Sequence, residues 1–120
     1  MLITAFLLAA AQPQSAIARL SDAEICQSMH RVAASVRGSA WGPVTLVEVR
    51  PDCETKTVTS RMALSGDKRA DFMANFTAAA DANLCHGTQP PLVAFRERGW
   101  RWVYQFSFAD GTAETTQIAC

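Results

Sequence analysis

Apolar residues first recur at helical spacing just after residue 20. Ser21 and Glu24 match the capping-box pattern, in which each side chain accepts a hydrogen bond from the other residue's backbone amide. Gly38 is well placed to end the helix. The predicted helix therefore begins after Ser21 and ends at Gly38. Its apolar stripe is formed by Ile25, Met29, Val32 and Val36.

A β-hairpin is predicted next. Residues 44–50 and 56–64 are rich in β-branched residues and partly alternate between apolar and polar. Pro51 and Asp52 lie between them and are typical turn residues.

Helical spacing returns after Ser65, Gly66 and Asp67, which form a second helix-start pattern. A short third helix is expected to begin at residues 88–91, because proline is tolerated in a first helical turn, and to end at Gly99. A strand over residues 91–98 is the alternative. The stripe of the second helix consists of Phe72, Met73, Phe76, Ala80 and Leu84.

The clearest strand follows Gly99, because aromatic residues occupy every second position. Those aromatic residues are Trp100, Trp102, Tyr104, Phe106 and Phe108. A two-residue turn after them would place the last apolar residues of the chain on the opposite face of the hairpin. A three-residue loop with Gly111 in the left-handed conformation instead pairs Trp102 with Ile118. It also places Trp100 opposite Cys120, so we predict the longer loop.

These elements predict an α+β fold. Antiparallel β-hairpins form a sheet, and two or three helices pack on the aromatic face. We expect disulfide bonds to cross-link the chain.

The N-terminus has the pattern of a cleaved signal peptide. Residues 2–11 form an apolar run, and Ala16 and Ala18 occupy the positions that a signal peptidase reads. The run is shorter than the roughly 20 residues that span a bilayer. We expect cleavage after residue 18, a single domain over residues 19–120, a periplasmic or secreted location and no stable membrane insertion after cleavage.

Charge excludes one class of partner. Eleven Lys and Arg residues balance eleven Asp and Glu residues, so the formal net charge is zero. Binding to nucleic acid depends on a basic face, and we therefore expect no nucleic-acid partner.

Four cysteines allow three pairings. The hairpin register turns Cys120 toward the helices, which favours the disulfides Cys85–Cys120 and Cys26–Cys53. The alternative is a zinc site that combines Cys26 and Cys85 with His30 and His86. No Cys-x-x-Cys pattern is present and export favours oxidation, so we expect neither a metal nor a cofactor.

No motif for catalysis is visible in the sequence. Phosphate-binding, dinucleotide-binding, zinc-protease and serine-hydrolase patterns are all absent. Glu48, Asp52 and Glu54 gather near the first hairpin turn, where acidic residues are commonly solvated turn residues.

One cluster is a candidate binding site. Arg96, Arg98 and Arg101 surround Trp100. Guanidinium groups stack on indole rings and bind carboxylates or phosphates, and both residue types anchor protein interfaces. The alternative is a purely structural role, in which Trp100 is buried in the core and the arginines are solvated at the edge of the core.

The sequence thus favours a small exported protein without catalysis. Its expected partner is another exported or envelope protein, which it binds as an inhibitor, adaptor or envelope-assembly factor. The alternative is an enzyme or metal-binding protein that uses His30 or His86 with the cysteines.

Overall fold

The computed structural model describes residues 19–66 and 69–120, with the backbone alone for Arg69, Pro90 and Pro91. The predicted signal peptide, residues 1–18, and Asp67 of the predicted second cap lie outside the described residues. The elements follow in the order α1 (Asp22–Val36), β1 (Ala40–Trp41), β2 (Val44–Asp52), β3 (Thr57–Leu64), α2 (Arg69–His86), α3 (Pro90–Glu97), β4 (Arg101–Phe108) and β5 (Ala113–Ile118).

The capping box at the start of α1 is confirmed. The Ser21 hydroxyl accepts a hydrogen bond from the Glu24 amide, and the Glu24 carboxylate accepts one from the Ser21 amide, both at 3.1 Å. Caps of this kind stabilise a helix by about 1 kcal/mol. They fix the start of α1, and its predicted stripe is buried.

The first hairpin is confirmed, but its turn lies further along the chain than predicted. Pro51 belongs to β2 and pairs with Val58, and the turn is formed by residues 53–56. Proline lacks an amide hydrogen and suits a strand edge. Among the described strands β2 has such an edge at Pro51, since β1 pairs with β2 near Val44 and Thr45.

The second hairpin has the predicted three-residue loop. Gly111 has a φ of 85°, and Trp102 pairs with Ile118. The Phe108 amide donates to the Thr112 carbonyl at 2.9 Å. Asp110 Oδ1 accepts from the Thr112 amide at 2.9 Å and thereby supports the loop.

The two hairpins lie side by side, and β3 of the first pairs in parallel with β4 of the second. The sequence pattern did not predict this parallel pair. The strand order is β1-β2-β3-β4-β5, and every neighbouring pair except β3–β4 is antiparallel. The chain crosses through α2 and α3 between β3 and β4, the usual route between parallel strands. The α+β class with two antiparallel hairpins in one sheet is confirmed, and the β3–β4 pair adds a parallel ladder between the hairpins.

The core lies between the helices and one face of the sheet. Phe76 of α2 contacts Tyr104 and Phe106 edge-on, with ring centroids 4.9 and 5.0 Å apart. Burial raises the pKa of the Tyr104 hydroxyl. Segment 90–97 is a helix, as predicted, and buries Leu92 and Phe95.

Two disulfides tie the helices to the sheet. Cys26 of α1 is bonded to Cys53 in the β2–β3 turn, with Cα atoms 5.9 Å apart. Cys85 in the last turn of α2 is bonded to Cys120, with Cα atoms 5.3 Å apart. Each bond closes a loop within one half of the chain.

Candidate functional site

A groove lies between α2 and β5, with a volume of about 720 Å³. On the helix side its walls are mostly small residues, one and two turns apart. The strand side comes from β5 and the chain just after it. The lining residues are Met73, Ala74, Thr77, Ala78, Asp81, Glu114, Thr116, Gln117, Ile118 and Ala119.

Beside this groove β5 forms an open edge of the described sheet. Phe108 and Thr112 form a hydrogen-bonded pair, and such pairs alternate along an antiparallel ladder. By this alternation the main-chain groups of residues 113, 115 and 117 point away from β4. The strand carries no lysine, arginine or proline, which commonly protect such edges.

The groove combines apolar surface with two carboxylates, those of Asp81 and Glu114. Met73 supplies the largest apolar contact, while Ala74 and Ala78 keep the helix wall low and Ile118 is a buried lining residue. The exposed Asp81 carboxylate lies 3.9 Å from His86 Nε2, a long and solvated pair. The described lining residues include no lysine, arginine, histidine or cysteine. The groove thus offers a ligand apolar contacts and carboxylate oxygens.

The predicted Trp/Arg residues are not gathered on one surface. Trp100 is only 3% exposed, and its Nε1 is a buried donor without a hydrogen-bond partner among the described residues. Arg96 Nη1 donates to the carbonyls of Leu84 and Gly87, at 3.0 and 3.1 Å. Arg96 thus satisfies carbonyls at the C-terminal end of α2.

The other two arginines of that set diverge. Arg98 Nη1 donates to Asp22 Oδ1 at 3.1 Å, and Lys56 Nζ donates to the Arg98 carbonyl at 3.0 Å. Together these contacts connect α3 with the start of α1 and with the β2–β3 turn. Arg101 is exposed on the sheet face opposite the helices.

The cysteine and histidine residues are grouped differently from the predicted zinc alternative. Cys26, His30 and Cys53 come together, with one donor atom from each lying within 4.8 Å of the others. His30 Nε2 is 3.9 Å from Cys53 Sγ. Cys85 and His86 are not part of this group.

Two of the three carboxylates near the first hairpin, those of Glu48 and Asp52, serve local structure. Glu48 accepts hydrogen bonds from Arg50 at 3.1 Å and from Arg61 at 2.9 Å, and both bonds lower the pKa of Glu48. Asp52 Oδ1 accepts from the amides of Glu54 and Thr55 and so shapes the turn that carries Cys53.

No protein-family model matches the chain, and no curated protein matches its sequence. Two solved structures share its fold. One is the pilotin EpsS from the type 2 secretion system of Vibrio vulnificus, with a TM-score of 0.58 and 9% identity, covering 81% of this chain and 86% of EpsS. The other is a Pseudomonas aeruginosa protein proposed to be secreted, with a TM-score of 0.54 and 12% identity, covering 90% of this chain and 94% of that one.

At these identities the similarity shows the fold alone. Within residues 19–66 and 69–120, no helix has the length and apolar character needed to cross a bilayer.

The groove itself was missed by the sequence analysis. Its helix wall comes from the alanine-rich part of α2, where residues 78–80 are all alanine. Alanine suits both buried and exposed helix positions, so hydropathy does not distinguish the face that packs on β4 from the face that lines the groove.

Proposed function

We propose that this is a small exported protein without catalytic activity that binds a segment of another envelope protein during assembly. In this proposal residues 1–18 are removed and the domain of residues 19–120 acts in the periplasm. Three features support it: the fold shared with a pilotin and with a protein proposed to be secreted, the two disulfides, and the N-terminal pattern.

The observation that carries the proposal is the groove beside the open β5 edge. Added strands bind through main-chain hydrogen bonds, and neighbouring pockets supply the specificity. Residues 113, 115 and 117 offer the main-chain groups, while Met73, Ala74 and Ala78 offer apolar contact. A cationic side chain of the partner would lie near Asp81.

Two exposed alanines of α2 provide a matched test. Ala78 lines the groove, whereas Ala82 lies one turn further along α2 and is not among the lining residues. A tryptophan at position 78 would fill the groove, whereas a tryptophan at position 82 would leave it open. A photo-crosslinking residue placed at each position in cells that make the protein reports which surface the partner occupies.

We expect position 78 to crosslink to one envelope protein and position 82 to give no such product. Ala78→Trp should abolish copurification of that protein, and Ala82→Trp should preserve it. Equal crosslinking at both positions, or binding unaffected by Ala78→Trp, would reject the groove. The intact mass of the exported protein tests the compartment, and we expect residues 19–120 lacking four hydrogens.

Arg98 and Arg101 are a second proposal for contact with a partner, as two separate points rather than one surface. Trp100 is buried and Arg96 is bound to carbonyls, so these two arginines are the members of the predicted set that would reach a partner. An Arg98→Ala/Arg101→Ala variant should weaken partner binding while the fold is kept. A partner that binds this variant normally would leave the groove as the remaining surface.

A further inference from the structure

Cys26, His30 and Cys53 form a compact set of soft metal ligands. Cys26 and His30 are four residues apart and so share one face of α1. Cys53 approaches this face from the β2–β3 turn, and His30 Nε2 lies 3.9 Å from Cys53 Sγ. The three donor atoms lie within 4.8 Å of one another.

These separations suit tetrahedral zinc once the two sulfurs are no longer bonded. Zinc–sulfur bonds of about 2.3 Å and zinc–nitrogen bonds of about 2.0 Å place neighbouring S and N ligands about 3.6 Å apart. Two sulfurs on one zinc ion are about 3.8 Å apart by the same geometry. The imidazole is already close to this distance, so mainly the sulfurs must separate.

The positions of the three ligands are held by the packing of α1 and by the β2–β3 turn as well as by the disulfide. Ile25 and Met29, which flank the ligands on α1, are each 1% exposed in the core. The turn is shaped by Asp52, which binds two of its amides, and is closed by the Asp52–Thr57 strand pair. The two supports therefore keep the ligands near each other after reduction.

We propose that opening of the Cys26–Cys53 disulfide converts this cluster into a zinc site. A dithiol reductant supplies two electrons and two protons, becomes a disulfide itself and leaves two thiols on this chain. Zinc then binds both sulfurs as thiolates together with neutral His30, and two protons are released. The disulfide and the metal are thus alternative links between α1 and the turn.

The site has an open side. Cys26 is buried, but His30 and Cys53 are exposed, so solvent reaches the cluster from the side away from the core. Three protein ligands leave the fourth zinc position to water, the arrangement that zinc adopts at reactive sites.

The chain offers an internal control in its second cysteine–histidine pair. His86 follows Cys85, yet the donor cluster among the described residues excludes both. The test uses protein reduced with dithiothreitol, freed of the dithiol without oxygen and titrated with Co²⁺. Cobalt reports tetrahedral thiolate coordination by its visible absorption and its sulfur-to-metal charge-transfer band.

We expect one equivalent of Co²⁺ in the reduced protein, displaced by Zn²⁺, and none in the oxidised protein. His30→Gln should weaken binding by more than about 100-fold, because even outer-shell changes cost 10–100-fold. His86→Gln should bind normally. Absence of cobalt binding, or equal effects of the two substitutions, would overturn the proposal.

If reduction unfolds the chain, circular dichroism measures whether zinc restores the fold. Zinc should then restore helical signal in the wild type and in His86→Gln, but not in His30→Gln. Failure of zinc to restore the wild-type signal, or equal recovery in both variants, would also reject the site.

Discussion

At the scale of single residues, Gly87 is a steric constraint between two helices. A Cβ atom there would lie 2.6 Å from Leu92 Cδ2 and would also collide with the Asn83 carbonyl oxygen. The Gly87 carbonyl accepts the hydrogen bond from Arg96. A glycine, which has no Cβ, is therefore needed at this position to bring α2 and α3 together.

Gly87→Ala should lower the free energy of unfolding by about 1–3 kcal/mol, the usual cost of overpacking. Gly66→Ala is the matched control, because open space surrounds Gly66 and its φ lies outside the left-handed region. Urea unfolding followed by circular dichroism measures both changes. Similar stabilities for the two variants would contradict the steric argument.

At the scale of elements, the start of α1 responds to pH. Two hydrogen bonds with Ser21 lower the pKa of Glu24 below its ordinary value of 4.5. The bond from the Ser21 backbone amide has the larger effect, and the bond with the Ser21 side chain has the smaller one. Because the folded-state pKa is depressed, this contribution to stability is present above pH 4.5 and is lost as pH falls through the folded-state value.

Glu24→Gln should therefore destabilise the protein more at neutral pH than in acid. The variant keeps a hydrogen-bonding side chain at the capping position but loses the charge, so the difference from the wild type should shrink below pH 4.5. Unfolding curves measured from about pH 3 to about pH 7 test this. A difference that stays constant across that range would contradict the assignment.

Elements set by neighbouring residues were predictable from the sequence. The Ser21–Glu24 box and the alternation of aromatic residues in β4 are local patterns, and each identified its element. The parallel pairing of β3 with β4 depends on where the chain returns after two helices, which no short pattern encodes. Strand β1 is two residues long and too short to show any period.

Candidate sites were predicted less well than elements for a related reason. Arg96 and Trp100 belong to residue types that anchor interfaces, but the same types also fill cores and bind carbonyls. Only the packing of α3 on α2 decides between these roles. The proximity of His30 to Cys53 likewise depends on how the β2–β3 turn folds over α1.

At the scale of the whole molecule, the disulfides should supply a large share of stability. Their cysteines are separated by 27 and 35 residues, for which loop-closure entropy gives about 3–4 kcal/mol each. Small domains have about 5–15 kcal/mol in total.

Replacing both cysteines of either pair by serine should lower the urea midpoint strongly, and the Cys85/Cys120 variant should lose slightly more stability. The exposed substitution Thr115→Ser serves as a reference. A loss below about 1 kcal/mol for a cysteine pair would show that its loop closure contributes little.

The parallel pair of β3 and β4 separates the molecule into two parts that could be made as separate chains. No disulfide crosses this pair of strands, since one bond joins residues before β3 and the other joins residues after β3. A chain cut between residues 66 and 69 would give two internally cross-linked fragments, each with one complete hairpin. The pieces would be joined without a covalent bond, by the strand ladder, by shared apolar surface and by the contacts of Arg98 with Asp22 and Lys56. Noncovalent joining of this kind is the design principle of a split reporter protein.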